Sequence, residues 1–291
     1  MKSSVKMFAD DTKLFGRSDT EEGIQNLQND LDQLQLWSDR WLLRFHPQKC
    51  AVMKLGYRKS EASYSMPIKT ADGSTDRMTL AETESEKDLG VVIDNKLTFC
   101  EHVAQSTMKA NRVVGLIWRT FDHLKEEMFI QLFKSLVRPI LEYGHCIWQP
   151  YHKTLCSDIE DVQRRATRLL GSLKNKSYPE RLRVLRLPTL EHRRLRGDMI
   201  EVYKYLHGHY DVKKPTLSQA GGRDLRGHSL KLCKNRHRLD VRGNFFSYRT
   251  VTNWNSLTEE VVSAPSINAF KGRLDQLWQH RPSLYEPECQ P

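Results

Sequence analysis

Apolar side chains over residues 20–45 fall on one stripe. Ile24, Leu27, Leu31, Leu34, Trp41 and Phe45 recur at three- and four-residue spacings or their multiples, as one face of an amphipathic helix requires. Ser18 and Glu21 have the spacing of a capping box at its start, and His46-Pro47 predicts its stop, because the residue before a proline avoids helical backbone. Upstream, Val5, Met7, Phe8, Leu14 and Phe15 flank Ala9-Asp10-Asp11-Thr12, which predicts a short hairpin over residues 5–15 with turn formers at its tip. Downstream, apolar runs predict strands over 51–55, 78–80 and 89–93 in a small sheet, with a polar excursion reaching residue 77.

From residue 98 the period becomes helical throughout. Thr98 and Glu101 repeat the capping-box spacing, and Val103, Ala110, Val114, Ile117 and Phe121 continue a helical face. A second helix is predicted over 126–143 with Gly144 just past its end, and Pro139 inside it predicts a kink or an early stop. Helices over about 155–170 and 190–206 complete a helical middle, residues 211–228 read as a linker with Pro215 and Gly221-Gly222, and a mixed, basic tail ends in a helix near 267–278. The pattern predicts an α+β fold: a small sheet over residues 1–97, a helical region over 98–210, the linker over 211–228, and a basic C-terminal region over 229–291.

Composition narrows the function. Hydrophobic residues make up 38% and charged residues 28%, a balance that supports a folded core in a chain of 291 residues. The longest apolar run, residues 113–118, is far too short to cross a bilayer, and Asp10 and Asp11 interrupt any secretory leader. The expectation is an intracellular protein, nuclear or cytoplasmic, without a membrane partner. The six cysteines form no C-x-x-C pair, so reduced thiols are expected rather than a disulfide framework or structural zinc. Formal net charge is +10, and it is unevenly placed: residues 1–100 hold 14 basic and 16 acidic side chains, residues 101–291 hold 32 and 20. A basic excess confined to the helical part points to an anionic partner, nucleic acid above all. Arg164, Arg165 and Arg168 lie within one helical turn, and Arg193, Arg194 and Arg196 form a second cluster. These six are the candidate nucleic-acid contacts, made to the backbone of RNA and DNA without reading bases.

Asp10 and Asp11 at a hairpin tip have two readings: a polar turn, or carboxylate oxygens for a hard cation such as Mg²⁺. The order of motifs around them favours the second. Phe8-Ala9-Asp10-Asp11 is followed by the helix with Trp37 and Trp41, by Phe45-His46-Pro47-Gln48-Lys49-Cys50, and by Leu89-Gly90-Val91-Val92-Ile93-Asp94. Further on stand Arg138-Pro139-Ile140-Leu141-Glu142-Tyr143-Gly144, Trp148-Gln149-Pro150, Trp254-Asn255-Ser256-Leu257 and Phe270-Lys271. This order resembles the reverse transcriptase of LINE-type, non-LTR retrotransposons, particularly the jockey-like group, over nearly the whole chain.

The resemblance implies an RNA-directed DNA polymerase of a mobile element. Residues 1–97 would be the end of its palm, 98–210 a thumb and the region beyond, and 229–291 its C-terminal region. It implies Asp10 as a ligand of catalytic Mg²⁺, Asp11 as its neighbour, and Lys49 as a group near the pyrophosphate leaving group. Trp37 and Trp41 are expected to pack in the core. In the family further palm motifs, including a partner aspartate, come before this hairpin, so the chain is expected to be a fragment inactive alone, with an exposed palm edge open to self-association. The competing readings are a non-enzymatic nucleic-acid-binding protein that uses the basic helices, and an interaction module without retained activity.

Overall fold

The computed structural model describes residues 2–56, 61–69, 74–121, 123–211, 217 and 227–287. They form two compact units, Met1–Leu97 and Thr98–Pro291, and the described residues are mixed α+β.

The first unit opens on a hairpin of β1 (Ser4–Phe8) and β2 (Asp11–Phe15), paired antiparallel with Phe8 opposite Asp11. The turn is therefore Ala9-Asp10, and Asp11 already belongs to a strand. Helix α1 (Glu21–Trp41) follows. Its N-cap is Thr20, whose hydroxyl accepts from Gly23 N at 3.1 Å, so the expected Ser18–Glu21 box is replaced by a cap two residues later. Leu42 ends the helix in a left-handed conformation, φ 60°, four residues before His46. Trp41 is 61% exposed and so is not the core residue its spacing suggested, whereas Phe45, beyond the helix, packs on the core.

That core gathers Tyr64, Met66 and Leu80 against Ile24, Leu27 and Leu31 of α1. Met66 belongs to β4 (Ser65–Lys69), which pairs antiparallel with β5 (Thr75–Thr79) in the stretch expected to be a polar excursion. Pro67 argues against a central strand there. The Gln28 side chain of α1 completes the edge instead, donating to Ser65 O at 2.9 Å and accepting from Ser65 N at 3.0 Å. Strands β3 (Ala51–Val52) and β6 (Ala81–Glu82) pair in parallel, and β7 (Ser85–Asp88) pairs antiparallel with β8 (Val91–Asp94). The expected single small sheet is thus four two-stranded ladders among the described residues, each short enough to need α1 or a loop to bury its apolar face.

The second unit begins with α2 (Cys100–Thr120), which buries Val103, Ala110, Val114 and Ile117. Its N-cap is Phe99 at φ 59°, with no side-chain cap bond, and the Thr98 hydroxyl accepts from Cys100 N, so the second expected box is not the cap either. Helix α2 packs on α4 and α6. Helix α3 (Glu126–Leu132) passes through a π turn, Phe133–Val137, into α4 (Arg138–Glu142) without a break. The π turn is how Pro139 is accommodated: an α-helical backbone would set its ring against a carbonyl one turn back, and the wider turn moves that carbonyl away. Gly144, φ 64°, closes this helix.

Helix α5 (His145–Trp148) leads to α6 (Lys153–Arg168), α7 (Tyr178–Leu185) and α8 (Leu190–Leu206). The expected linker over 211–228 lies outside the described residues except for 211, 217, 227 and 228. The tail adds α9 (Asp240–Gly243), α10 (Phe246–Asn255), α11 (Glu259–Val262) and α12 (Ile267–Trp278). Met199, Val202 and Tyr203 of α8 share one core with Val251, Trp254, Phe270 and Leu274, so the tail folds onto α8. Asp198 of α8 ties in α10 by accepting two bonds from Arg249, at 2.9 and 3.0 Å.

Candidate nucleic-acid interface

Helix α6 carries the first arginine cluster at its C-terminal end, where cations complement the helix dipole. The chain then turns through a 3-10 segment, Gly171–Leu173, and the exposed residues Lys174, Asn175, Lys176 and Ser177 before entering α7. The two segments face each other across an open groove of about 410 Å³ lined by Arg164, Arg165, Arg168, Lys174, Asn175, Lys176, Ser177 and Arg181. Arg165, Arg168, Lys174 and Lys176 are exposed, and among the described residues only Arg164 of these cations has an ion pair, with Asp161 one turn back.

The groove is built on a buried polar floor. Arg181 is 5% exposed and spans the two segments, donating to Thr167 Oγ1 at 3.2 Å, Arg164 O at 3.2 Å and Lys176 O at 3.3 Å. The guanidinium groups of Arg164 and Arg181 lie 5.2 and 5.5 Å from the centroid of the Tyr178 ring, a cation–π arrangement that helps to set both arginines. The Tyr178 hydroxyl donates to Glu160 Oε1 at 2.5 Å and accepts from Gln163 Nε2 at 3.1 Å. Burial raises the Glu160 carboxyl above its ordinary value, and burial together with the Glu160 charge raises the Tyr178 hydroxyl. Glu160 Oε2 also accepts Leu190 N at 2.9 Å, at the start of α8, where the helix dipole favours a carboxylate. The groove's cations therefore sit on a fixed frame.

The second arginine cluster is placed differently. Arg194 is 1% exposed, buried in the field of Glu160 and Glu191, and no phosphate in solvent reaches it. Arg193 binds Glu142 through two bonds, and Arg196 binds Asp275 at 2.5 and 2.8 Å. Arg193 and Arg196 tie α8 to α4 and α12, whereas Arg194 is buried with no hydrogen bond to a carboxylate among the described residues. Helical spacing brought the three together in sequence, and packing commits two of them to protein carboxylates. Conversely, Lys174 and Lys176 were missed, although Lys174-Asn175-Lys176-Ser177 before Glu180 is a basic loop leading to a capping box, and that signal was legible.

In the first unit Asp10 and Asp11 are exposed on the hairpin, and Lys49 is exposed at the end of a 3-10 turn, Pro47–Lys49. No group of three or more His, Cys, Asp or Glu stands ready to hold a metal among the described residues. Two carboxylates suffice for one Mg²⁺ that keeps its waters, but they do not make up the two-ion cage of phosphoryl transfer. Cys233 and His237, and His207 and His209, have the spacing of half a zinc site, but among the described residues neither pair belongs to a group of three or more metal-binding side chains. His237 packs instead against Tyr248, centroids 5.7 Å apart, and His207 on Tyr203, 3.9 Å. No helix among the described residues is long and apolar enough to cross a membrane.

The chain is 26% identical over 171 residues to the RNA-directed DNA polymerase from mobile element jockey of Drosophila melanogaster, covering 57% of this chain. It is 28% identical over 179 residues to the probable RNA-directed DNA polymerase from transposon BS of the same organism, covering 58%. This chain is similar to RNA-directed DNA polymerases of mobile elements. The probable RNA-directed DNA polymerase from transposon X-element of Drosophila melanogaster is also similar, 23% identical over 177 residues and 58% of this chain. The match spans 18% of each of these polymerases, so this reverse transcriptase relative corresponds to a part of them. No family model matches the chain, and no solved structure does.

Proposed function

We propose that this chain is a piece of an RNA-directed DNA polymerase of a mobile element, and that its helical unit holds RNA and DNA by their phosphates. In this reading residues 1–97 are part of a palm, 98–210 a thumb and its continuation, and 229–291 a C-terminal region joined to it by 211–228. The observation that carries the nucleic-acid role is the groove between α6 and the loop before α7. Arg165, Arg168, Lys174 and Lys176 stand there exposed and, among the described residues, without an ion pair. Guanidinium forks suit phosphate oxygens, and no aromatic side chain is among the described residues lining the groove, Tyr178 beneath it being buried, so it offers no stacking platform for bases. Binding is then indifferent to sequence and driven by release of counterions.

Asp10 and Asp11 would supply one edge of a Mg²⁺ site that other carboxylates complete, and Lys49 would stand near the leaving pyrophosphate. The similarity to polymerases favours this reading over a binding protein that never had polymerase ancestry.

The test is fluorescence anisotropy of the full chain with unrelated RNA and DNA oligomers over a salt series. Dissociation constants of roughly 10⁻⁴–10⁻⁶ M at physiological salt are expected, falling steeply as salt is removed. Reversal of Arg164, Arg165 and Arg168 to Glu should weaken every oligomer about equally and flatten the salt dependence. Binding that ignores salt, or that survives the triple reversal unchanged, overturns the interface.

A further inference from the structure

Among the groove's cations stands one hydroxyl. Ser177 lines the groove and is exposed, as are the three residues before it. Lys176 and Lys174 lie one and three positions upstream, a basic approach to a serine that solvent reaches from one side. Ser177 precedes α7, and Glu180 Oε2 accepts from both its N and its Oγ at 2.7 Å. Those bonds hold the Glu180 carboxyl below the usual carboxylate range, so it remains charged.

We propose that Ser177 is a phosphorylation site, and that its phosphate closes the groove to nucleic acid. The proposal rests on the reading of the groove as a nucleic-acid interface. In the modifying step a protein kinase brings ATP. The Ser177 oxygen bonds to the γ-phosphorus, the bond from that phosphorus to the bridging oxygen breaks to leave ADP, and the hydroxyl proton passes to a carboxylate base of the kinase.

The consequences follow from charge and geometry. The hydroxyl loses the proton it donates to Glu180, and a group of about −1.5 to −2 charge replaces it beside that carboxylate. Repulsion from Glu180 opposes the pull of the α7 N-terminus on the phosphate. On the other side lie the exposed guanidinium and ammonium groups of Arg165, Arg168, Lys174 and Lys176, the donors that an external phosphate would use. A tethered phosphate meets them at an effective concentration of order millimolar, fixed by the short link. It therefore competes continuously with a backbone bound weakly and without sequence preference.

The experiment uses the full chain with phosphoserine encoded at position 177, the unmodified chain, Ser177→Ala, and the triple Arg-to-Glu variant. Each is titrated with a 20-bp duplex and a 20-nucleotide RNA over a salt series. Phosphoserine should weaken both about tenfold or more at physiological salt and lower the slope of log affinity against log salt by about 1–2, while Ser177→Ala binds as the unmodified chain does. In a second arm, a serine kinase that prefers upstream basic residues acts on the full chain with ATP, and peptide mass spectrometry should place phosphate on Ser177. Unchanged affinity of the phosphoserine chain overturns the proposal while leaving the interface intact if the triple variant still loses binding. If neither modification nor triple reversal changes affinity, both readings fall. Failure of the kinase to modify Ser177 overturns the proposal as well.

Discussion

At Leu89 a side chain sits where the backbone asks for none. Leu89 and Gly90 are the two turn residues between β7 and β8, with φ of 44° and 87°. A hairpin turn with two left-handed residues prefers Asn-Gly, and a left-handed conformation costs a branched residue about 1–2 kcal/mol. Leu89 is 43% exposed, so little packing offsets that cost. Leu89→Asn should raise the stability of the hairpin by about 1 kcal/mol, read as slower amide exchange across β7 and β8. Asp30 is a second case where local chemistry decides. Burial alone would raise its carboxyl, but the N–H groups of Ser3 and Lys2, at 2.6 and 2.8 Å, outweigh it and hold the group below its ordinary value. A depressed carboxyl stabilises above the unfolded value near 4 and ceases to do so as pH falls through the folded one. Asp30→Ala, which removes the acceptor, should therefore free residues 2–3 from α1 at neutral pH and cost about 1.5–3 kcal/mol locally, visible as lost exchange protection at Ser3.

At the level of elements, the joint between α8 and the tail is built on one buried core. Trp254 of α10 is fully buried and its ring nitrogen donates to Leu230 O at 2.7 Å. Trp254→Ala removes that volume from a core shared with Tyr203 and Phe270 and should cost about 3–5 kcal/mol, measured by urea unfolding. The same joint has a pH dependence. Burial, reinforced by Arg281, lowers His192 of α8 to about 4, and burial lowers His102 and His228 too. A histidine kept neutral in the fold stabilises fully above its unfolded value near 6.5, and that contribution falls as pH drops towards the folded value. Stability of the helical unit should decline from about pH 6.5 to about pH 4, and His192→Phe should flatten part of that decline. A profile level across this window, or unchanged in the variant, would show that these rings do not control it.

For the whole molecule the prediction is catalytic silence. Asp10 and Asp11 are two donors without a third among the described residues, and two ions, a primer end and a triphosphate cannot be aligned by one turn. Primer extension by the purified chain with Mg²⁺ should show no template-dependent incorporation. Incorporation that disappears in Asp10→Ala would overturn this. The hairpin also leaves Met7, Phe8 and Phe15 more than half exposed. An open, apolar strand pair favours association, so light scattering should show mass rising with concentration, and Phe8→Lys should reduce it.

The order of motifs and the helical period were enough to place the chain among reverse transcriptase relatives and to mark α1, α2, α6, α8 and α12, because burying one face imposes a 3.6-residue repeat on sequence. Gly144 was equally legible, since its left-handed backbone is a local requirement. The caps at Thr20 and Phe99, the strand β4 through Pro67, and the exposure of Trp41 were not. Strand β4 depends on a partner distant in sequence, Gln28 for Ser65, whereas the Thr20 cap is a local bond to Gly23 that competes with the equally local Ser18–Glu21 spacing. The arginines make the same point. Arg168 and Arg194 are alike as residues in basic helices, yet one faces solvent beside Lys174 and the other lies 1% exposed against Glu160. A charge in sequence has no direction, and only the packing of α6 against α7 and α8 determines which guanidinium is left open to solvent and which is buried.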